Sequence, residues 1–385
     1  MALALRLAAR GLDTTQPNPR VGCVIAHGAD VVGSGFHQRA GEPHAEVYAL
    51  REAGKRARGA TAYVTLEPCA HYGRTPPCAD ALIAAGVARV VVAAEDPFPR
   101  VAGQGVEQLR GAGIAVEVGL MREAARELNI GFFSRIERGR PWVRVKLAMS
   151  LDGRTALANG ESKWITGEAA RVDVQHWRAR SSAILTGSGT VLADNPRLTV
   201  RLAPGVSSPC PPDTHDGGPA SPVSAAASGV AACASAGEAG FKPLRVVLDR
   251  RLRTPAGSHI LDGAAPTLLL HGADARATED RFAAVERAVV PQRGELLDLE
   301  AALALLAARD VNELQVEAGP TLCGALFAAG LVDELLLYVA PLLLGDRARP
   351  LLHLPSLADM ADRWRLRVID QRQLGADWRL RLRPA

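Results

Sequence analysis

Apolar and polar positions along this chain follow two α/β patterns in succession. Between residues 20 and 120, short apolar runs of strand length alternate with stretches of helical spacing. "VGCVIAHGADVVGSGFH" predicts two strands around a glycine-containing turn near His27 to Asp30. "PHAEVYALREAG" predicts a helix with Pro43 and His44 in its first turn and Gly54 at its C-terminal end. "ATAYVTLEP" predicts a strand and "PPCADALIAAG" a helix closed by Gly86. "VARVVVAAEDP" then predicts a strand and "GVEQLRGAG" a helix. This alternation implies helices laid over a mixed sheet. A second α/β pattern starts near Pro141, with strands in "PWVRVKLAMSLDG", "SSAILTG", "LRVVLD", "APTLLLHG", "VNELQVEAG" and "DELLLYVAPLLLG". The fold class expected is therefore α/β in two domains: residues 1–122 and 141–385, joined by 123–140.

One stretch breaks the pattern. Residues 203–240 contain 28 Ala, Pro, Gly or Ser among 38, with no Leu, Ile, Lys, Arg or aromatic residue. Such a segment buries too little apolar surface to offset its ordering entropy, so a flexible insertion in the second domain is expected. Cys210 and Cys233, inside it, are read as incidental.

Composition narrows the function classes. Net charge is +4 over 385 residues, too dilute for a nucleic-acid binder. The basic cluster "DRRLR" at 249–253 reads as a solvated face, with an anion site as the alternative. No run of 18 apolar residues occurs, so no membrane helix is expected. The opening "MALALRLAARGL" is interrupted by Arg6 and Arg10 and has the spacing of a short amphipathic helix, not an export signal. The expected location is the cytoplasm, where paired cysteines point to metal or catalysis.

His44, Cys69 and Cys78 are such a set. Imidazole nitrogen and thiolate sulfur suit zinc, and three protein ligands leave a position open for water. Cys69 follows a strand, and Cys78 opens a helix whose N–H groups and dipole stabilise a thiolate. Glu46, two residues beyond His44, can then shuttle a proton between that water and a leaving amine. His-x-Glu followed by Pro-Cys and a second Cys matches the zinc nucleobase-deaminase signature, except that eight residues separate the cysteines. Two other readings use the same residues. One is an ordinary helix start with unrelated cysteines. The other is a structural zinc site with His71 as fourth ligand, which leaves Glu46 without a role.

The run "PNPRVGCVI…GSGFHQRAGEPHAE…LEPCAHYGRTPPC" resembles the deaminase half of the bifunctional riboflavin-biosynthesis deaminase/reductases. "KLAMSLDGRTA…ESKWITG", "LTGSGTVLADNPRLTVR" and "VEAGPTLCGALF" resemble the reductase half. The resemblance covers nearly the whole chain and implies a cytidine-deaminase-like domain followed by a dihydrofolate-reductase-like domain, with Zn2+ and NADPH. It implies that Asn18, His37, His71 and Arg74 meet the substrate in the first domain. In the second, Ser162, Arg178, Leu198, Arg201 and Glu317 would meet the substrate. Ala148, Trp164, Thr190, Asp194, Gly319, Pro320, Thr321, Leu322, Cys323, Gly324 and Ala325 would meet NADPH. Arg250 is placed at a strand end, either against the cofactor's 2′-phosphate or on the surface. Lys146 is a candidate polar group beside the reacting sugar or a snorkelling surface lysine, and Trp164 could instead be a core aromatic. Phe98 departs from the family, whose pattern has Asn there. The implied reaction deaminates a phosphoribosylated diaminopyrimidinone, then reduces its ribosyl group to ribityl. The alternatives are a zinc deaminase fused to a non-catalytic nucleotide-binding domain, and a nucleic-acid deaminase, which the charge disfavours. The family implies a small-molecule substrate and a homodimer or larger assembly through the second domain.

Overall fold

The computed structural model describes residues 1–71, 76–99, 101–202, 241–276 and 280–385. Arg74 and the stretch 203–240, with Cys210 and Cys233, lie outside the described residues. The first sheet has five strands: β1 (Gly22–His27), β2 (Asp30–Phe36), β3 (Thr61–Val64), β4 (Arg89–Val92) and β5 (Ala115–Val118). Their spatial order is β2-β1-β3-β4-β5. β1 is antiparallel to β2 and β3, while β3, β4 and β5 run parallel. The opening helix α1 (Ala2–Ala9) packs on this sheet, as do α2 (Ala45–Ala53), α3 (Cys78–Ala85) and α4 (Gln104–Gly111). Alanines of α2 and α3, Val106 and Leu109 of α4 and the strand valines form one buried core, and Ala8 and Ala9 of α1 belong to a smaller one with Leu12 and Leu128.

Two glycines of β2 let α2 lie directly on the strand. A side-chain carbon at Gly35 would stand 2.5 Å from the Ala45 carbonyl oxygen, and one at Gly33 would collide with the Ala49 carbonyl. This close approach fixes where the α2 N-terminus points. His44 proves to be the residue before the helix, with extended backbone, and not part of its first turn.

The segment 123–140 is more structured than a simple connector. It holds all but the first residue of α5 (Arg122–Leu128) and the whole of α6 (Ile130–Arg138), with Asn129 buried between them. Ala125, Phe132 and Phe133 close a core with Leu66, Ala93 and Ala94 of the first domain.

The second sheet has nine strands. Their order is Glu286–Val289, Thr267–His271, Leu244–Leu248, Ala183–Gly187, Glu313–Val316, Trp142–Ser150, Glu334–Ala340, Asp377–Pro384 and Leu366–Leu374. The first seven run parallel, and the last two form an antiparallel hairpin. The central parallel strands are largely buried, and their apolar residues fill two cores. Among the described residues no helix is long and apolar enough to cross a membrane.

Candidate active sites

In open α/β sheets, sites form beyond the carboxyl ends of parallel strands where strand direction changes. β3, beside antiparallel β1, ends at such a point, and the chain then carries Cys69 away from it. The buried Glu67 holds this turn in place. Its carboxylate accepts backbone N–H bonds from Asp96 (3.2 Å), Gly103 (3.0 Å) and Val106 (3.1 Å). The N-termini of α2 and α3 converge on the same spot.

There His44, Cys69 and Cys78 place one ligand atom each within 4.8 Å of one another. His44 Nδ1 lies 3.2 Å from Cys78 Sγ and 3.6 Å from Cys69 Sγ. The Cys78 backbone N–H donates to Cys69 Sγ over 3.3 Å. Hydrogen bonds from the Cys78 side chain and N–H hold the Cys69 thiol below its usual range. His71 is exposed and is not part of this cluster. One imidazole and two thiols in this cluster fit a zinc ion with one position left open.

Glu46 sits beside the three ligands, buried, and its Oε2 has no hydrogen-bond partner. Burial raises its pKa, offset in part by His44. A carboxyl held this way is suited to carrying a proton. Asn18 and His37 meet beside His44: Asn18 Nδ2 donates to His37 Nε2 (3.1 Å), and His37 Nδ1 donates to the Pro43 carbonyl (3.1 Å). This pattern requires the neutral imidazole with its proton on Nδ1. Burial lowers the His37 pKa, in agreement. The His37 and His44 rings are edge to face, 5.5 Å apart. Asp96, which sequence reasoning did not single out, is buried nearby, and burial raises its carboxyl to about 6. Phe98 is partly exposed, and its N–H donates to Asp96 Oδ1 (2.8 Å).

The second sheet carries a cavity of about 1030 Å³ at the carboxyl ends of its parallel strands. Its wall includes Lys146, Ala148, Ser162, Trp164, Arg178, Thr190, Asp194, Leu198, Arg250 and Glu317. Gly319, Pro320, Thr321, Leu322 and Ala325, around the start of the helix Pro320–Ala328, also line it. Glu317 and Arg178 form a two-pronged ion pair at 2.6 and 2.8 Å. Burial would raise the Glu317 carboxyl, but Arg178 and then Lys146 outweigh it and bring the pKa to about 2. Lys146 is partly buried on the cavity wall, and burial lowers its ammonium pKa, which favours the cavity reading over a surface one. Trp164 is 72 % exposed at the cavity mouth, with Arg171 over its ring, so it is not a core aromatic. Leu198 has a φ of 48°, a left-handed conformation that a branched side chain adopts only under constraint.

Three predicted residues stand apart from this wall. Cys323 is fully buried, and its thiol donates to the Ala318 carbonyl. Gly324 is where the helix meets the His353 carbonyl, leaving no room for a side chain. Arg201 is exposed beyond the wall, and its backbone N–H donates to Gln175 Oε1 (2.9 Å). Arg250 lines the cavity but is committed to Gln292, Asp274 and Glu295. Arg253, from the cluster read as a solvated face, is exposed like Arg251, and it also reaches Ser188 Oγ at 3.3 Å. The structure also brings in Arg251, Arg349 and His353. Only the high local density of arginine in "DRRLR" could have pointed to the first of these. Side chains at Gly189 and Gly319 would occupy open space, so the backbone leaves the cavity free for an elongated ligand such as NADPH there.

Comparison with known proteins follows this division. Residues 1–94 match the family described as the cytidine and deoxycytidylate deaminase zinc-binding region. Residues 141–380 match the RibD C-terminal domain family. The chain is similar to riboflavin biosynthesis protein RibD of Escherichia coli, 49% identical over 98% of this chain and 96% of that protein. The RibD of Haemophilus influenzae is 46% identical over 100% and 96%. Among solved structures, Acinetobacter baumannii RibD superposes with a TM-score of 0.86 at 44% identity, covering 100% of this chain and 97% of that one. A Thermotoga maritima diaminohydroxyphosphoribosylaminopyrimidine deaminase/5-amino-6-(5-phosphoribosylamino)uracil reductase superposes at 0.80, with 31% identity and the same coverage.

Proposed function

The chain belongs to the RibD family of riboflavin-biosynthesis deaminase/reductases, and on that premise we propose how its residues divide the two reactions. The protein is a bifunctional enzyme that takes zinc and NADPH. The first reaction is hydrolytic deamination of 2,5-diamino-6-(5-phosphoribosylamino)pyrimidin-4-one 5′-phosphate. The second is NADPH-dependent reduction of the product's ribosyl group to ribityl. The work divides between residues 1–122 and 141–385, with 123–140 between them.

His44, Cys69 and Cys78 would hold the metal. Zinc bound there supplies a Lewis acid that makes water a nucleophile near neutral pH. Glu46 takes the proton from the attacking water and returns it to the departing amine, so that ammonia leaves. Its buried, unpartnered Oε2 is the observation that carries this reading. Asn18 and the neutral His37 would hold the pyrimidine by hydrogen bonds; for His71 and Arg74 the family resemblance implies contact with the substrate and its ribosyl phosphate.

In the second domain bound NADPH would supply the hydride that reduces the anomeric carbon of the opened sugar. The walls at Ala148, Trp164, Thr190, Asp194, and at Gly319, Pro320, Thr321, Leu322 and Ala325 would hold it, while Cys323 and Gly324 seat the helix behind that wall. Arg250 and Arg253, both on the cavity wall, would face the cofactor's 2′-phosphate, Arg250 only on release from its acidic partners. Ser162, Leu198, Arg201 and the Arg178–Glu317 pair orient the substrate; arginine suits its phosphate and Glu317 its hydroxyls. Lys146, whose lowered pKa eases proton release, would give the proton that completes reduction.

We also assign the protein to the cytoplasm, where the free thiols of Cys69 and Cys78 stay reduced. The partner is a second copy of the chain, not nucleic acid. The outer strand Leu366–Leu374 leaves a sheet edge open, with its Val368 and the neighbouring strand's Trp378 exposed. The deciding experiment follows ammonia release and NADPH consumption from the diaminopyrimidine, with zinc analysis, in wild type and Glu46→Ala. Ammonia release should fall by roughly 10²- to 10⁴-fold, with zinc retained and reduction of the deaminated pyrimidine intact. Full-rate ammonia release by Glu46→Ala would overturn the assignment.

A further inference from the structure

Residues 16–20 of the first domain are held by side chains of the second. Asn312 Nδ2 donates to Gln16 Oε1 (3.0 Å) and to the Pro17 carbonyl (2.7 Å). Ser182 Oγ donates to Gln16 Oε1 as well (2.9 Å). Gln16 Nε2 in turn donates to the Arg180 carbonyl (3.2 Å). At the other end of the segment, Arg20 Nη1 meets Glu313 Oε1 at 2.7 Å, both side chains being buried. Asn129 of the connecting segment binds the Arg20 backbone on both sides, at 2.8 and 2.9 Å. Asn18 lies midway between these anchors, and its side chain meets His37 beside the zinc-ligand cluster.

A pentapeptide clamped at both ends by another domain has little freedom in its middle residue. We infer that Asn312 and Ser182, in the reductase domain, are positioning residues for deamination: they fix Gln16 and Pro17, and thereby the Asn18 amide that faces the pyrimidine. The inference rests on the proposed contact of Asn18 with the substrate. It gives a physical reason for the two activities to share one chain: the deaminase pocket is completed by groups of the reductase sheet.

Asn312→Asp in the full-length protein tests it. The substitution keeps the size of the side chain and the acceptor for Arg135 Nε (2.7 Å), and removes both donated bonds to residues 16 and 17. Gln16→Met removes the same clamp from the other side and decides the matter if the first variant does not fold. In each, the KM for ammonia release should rise roughly tenfold, the cost of a buried hydrogen bond or two. Zinc content, kcat for ammonia release and the KM for reducing the deaminated pyrimidine should stay close to wild type. A folded variant with wild-type KM for ammonia release overturns the inference. So does a variant that only melts at lower temperature. No ammonia from the wild-type chain would instead sink the deaminase reading itself, which separates the two failures.

Discussion

Glu317 and Arg178 form a nearly closed charge pair at the wall of the larger cavity, with 13% and 10% of their side chains exposed. Gln315 Nε2 adds a third bond to Glu317 at 2.7 Å. Glu317→Gln leaves the guanidinium enclosed without its anion, the costly way to break a buried pair. A loss of about 3 kcal/mol is expected. Thermal unfolding should show it, and steady-state reduction should show a raised KM with ammonia release unaffected. If stability holds and only KM rises, solvent is reaching the pair and the burial argument fails. Residues at this scale were legible in unequal measure. His44, Glu46, Cys69 and Cys78 stand out because few side chains bind zinc and their spacing is unusual. Gln16, Ser182 and Asn312 carry no such chemical mark. Their meaning lies in partners up to 296 positions away, which no local pattern encodes. Lys146 had two readings in the sequence, and only its place on the cavity wall favours one of them.

Helix α2 carries both halves of the first site, His44 before its first residue and Glu46 within its first turn, so its seat on β2 sets the site's geometry. A methyl group at Gly35 would stand 2.6 Å from the Tyr48 Cβ as well as 2.5 Å from the Ala45 carbonyl. Neither neighbour is the free end of a flexible chain, so the helix must move. Gly35→Ala should cost about 1–3 kcal/mol and weaken zinc retention, readable by denaturant unfolding and by metal content after dialysis against a chelator. Unchanged stability and zinc would mean that the helix tolerates the shift. The strands and helices of the first domain were legible because apolar runs and glycine or proline stops coincide there. The connecting segment was not, because its helices are rich in charge. Glu127 pairs with Arg381 and Arg383, and Arg138 with Asp333, all in the second domain. The strand Leu366–Leu374 was missed for a similar reason: as an edge strand it is exposed over much of its length.

At the scale of the whole molecule, the two domains share a buried ion cluster. Glu313 meets Arg20 of the first domain, with Arg144 and Arg180 of the second, at 2.7 to 3.1 Å. Glu334 meets Arg144, Arg381 and Arg383. Burial would raise both carboxyls, but the arginines outweigh it and hold them far below the ordinary glutamate value of 4.5. The sign of the pH dependence follows. In the unfolded chain these carboxyls take up protons near 4.5, whereas in the folded protein they resist until much lower pH. The unfolded state therefore binds more protons below that value. The stability from Glu313, Glu334 and Glu317 is complete above 4.5 and drains away as the pH falls toward 2. Glu313→Gln removes one of these groups and leaves three arginines facing a neutral amide. It should be less stable than wild type at pH 7 by about 3 kcal/mol, and the gap should narrow steadily between pH 5 and pH 3. Urea unfolding of both proteins across that range measures the gap directly. A gap that stays constant from pH 7 to pH 3 would show that Glu313 is not an ionised partner of the arginines, and that the domains are held by packing around the cluster instead.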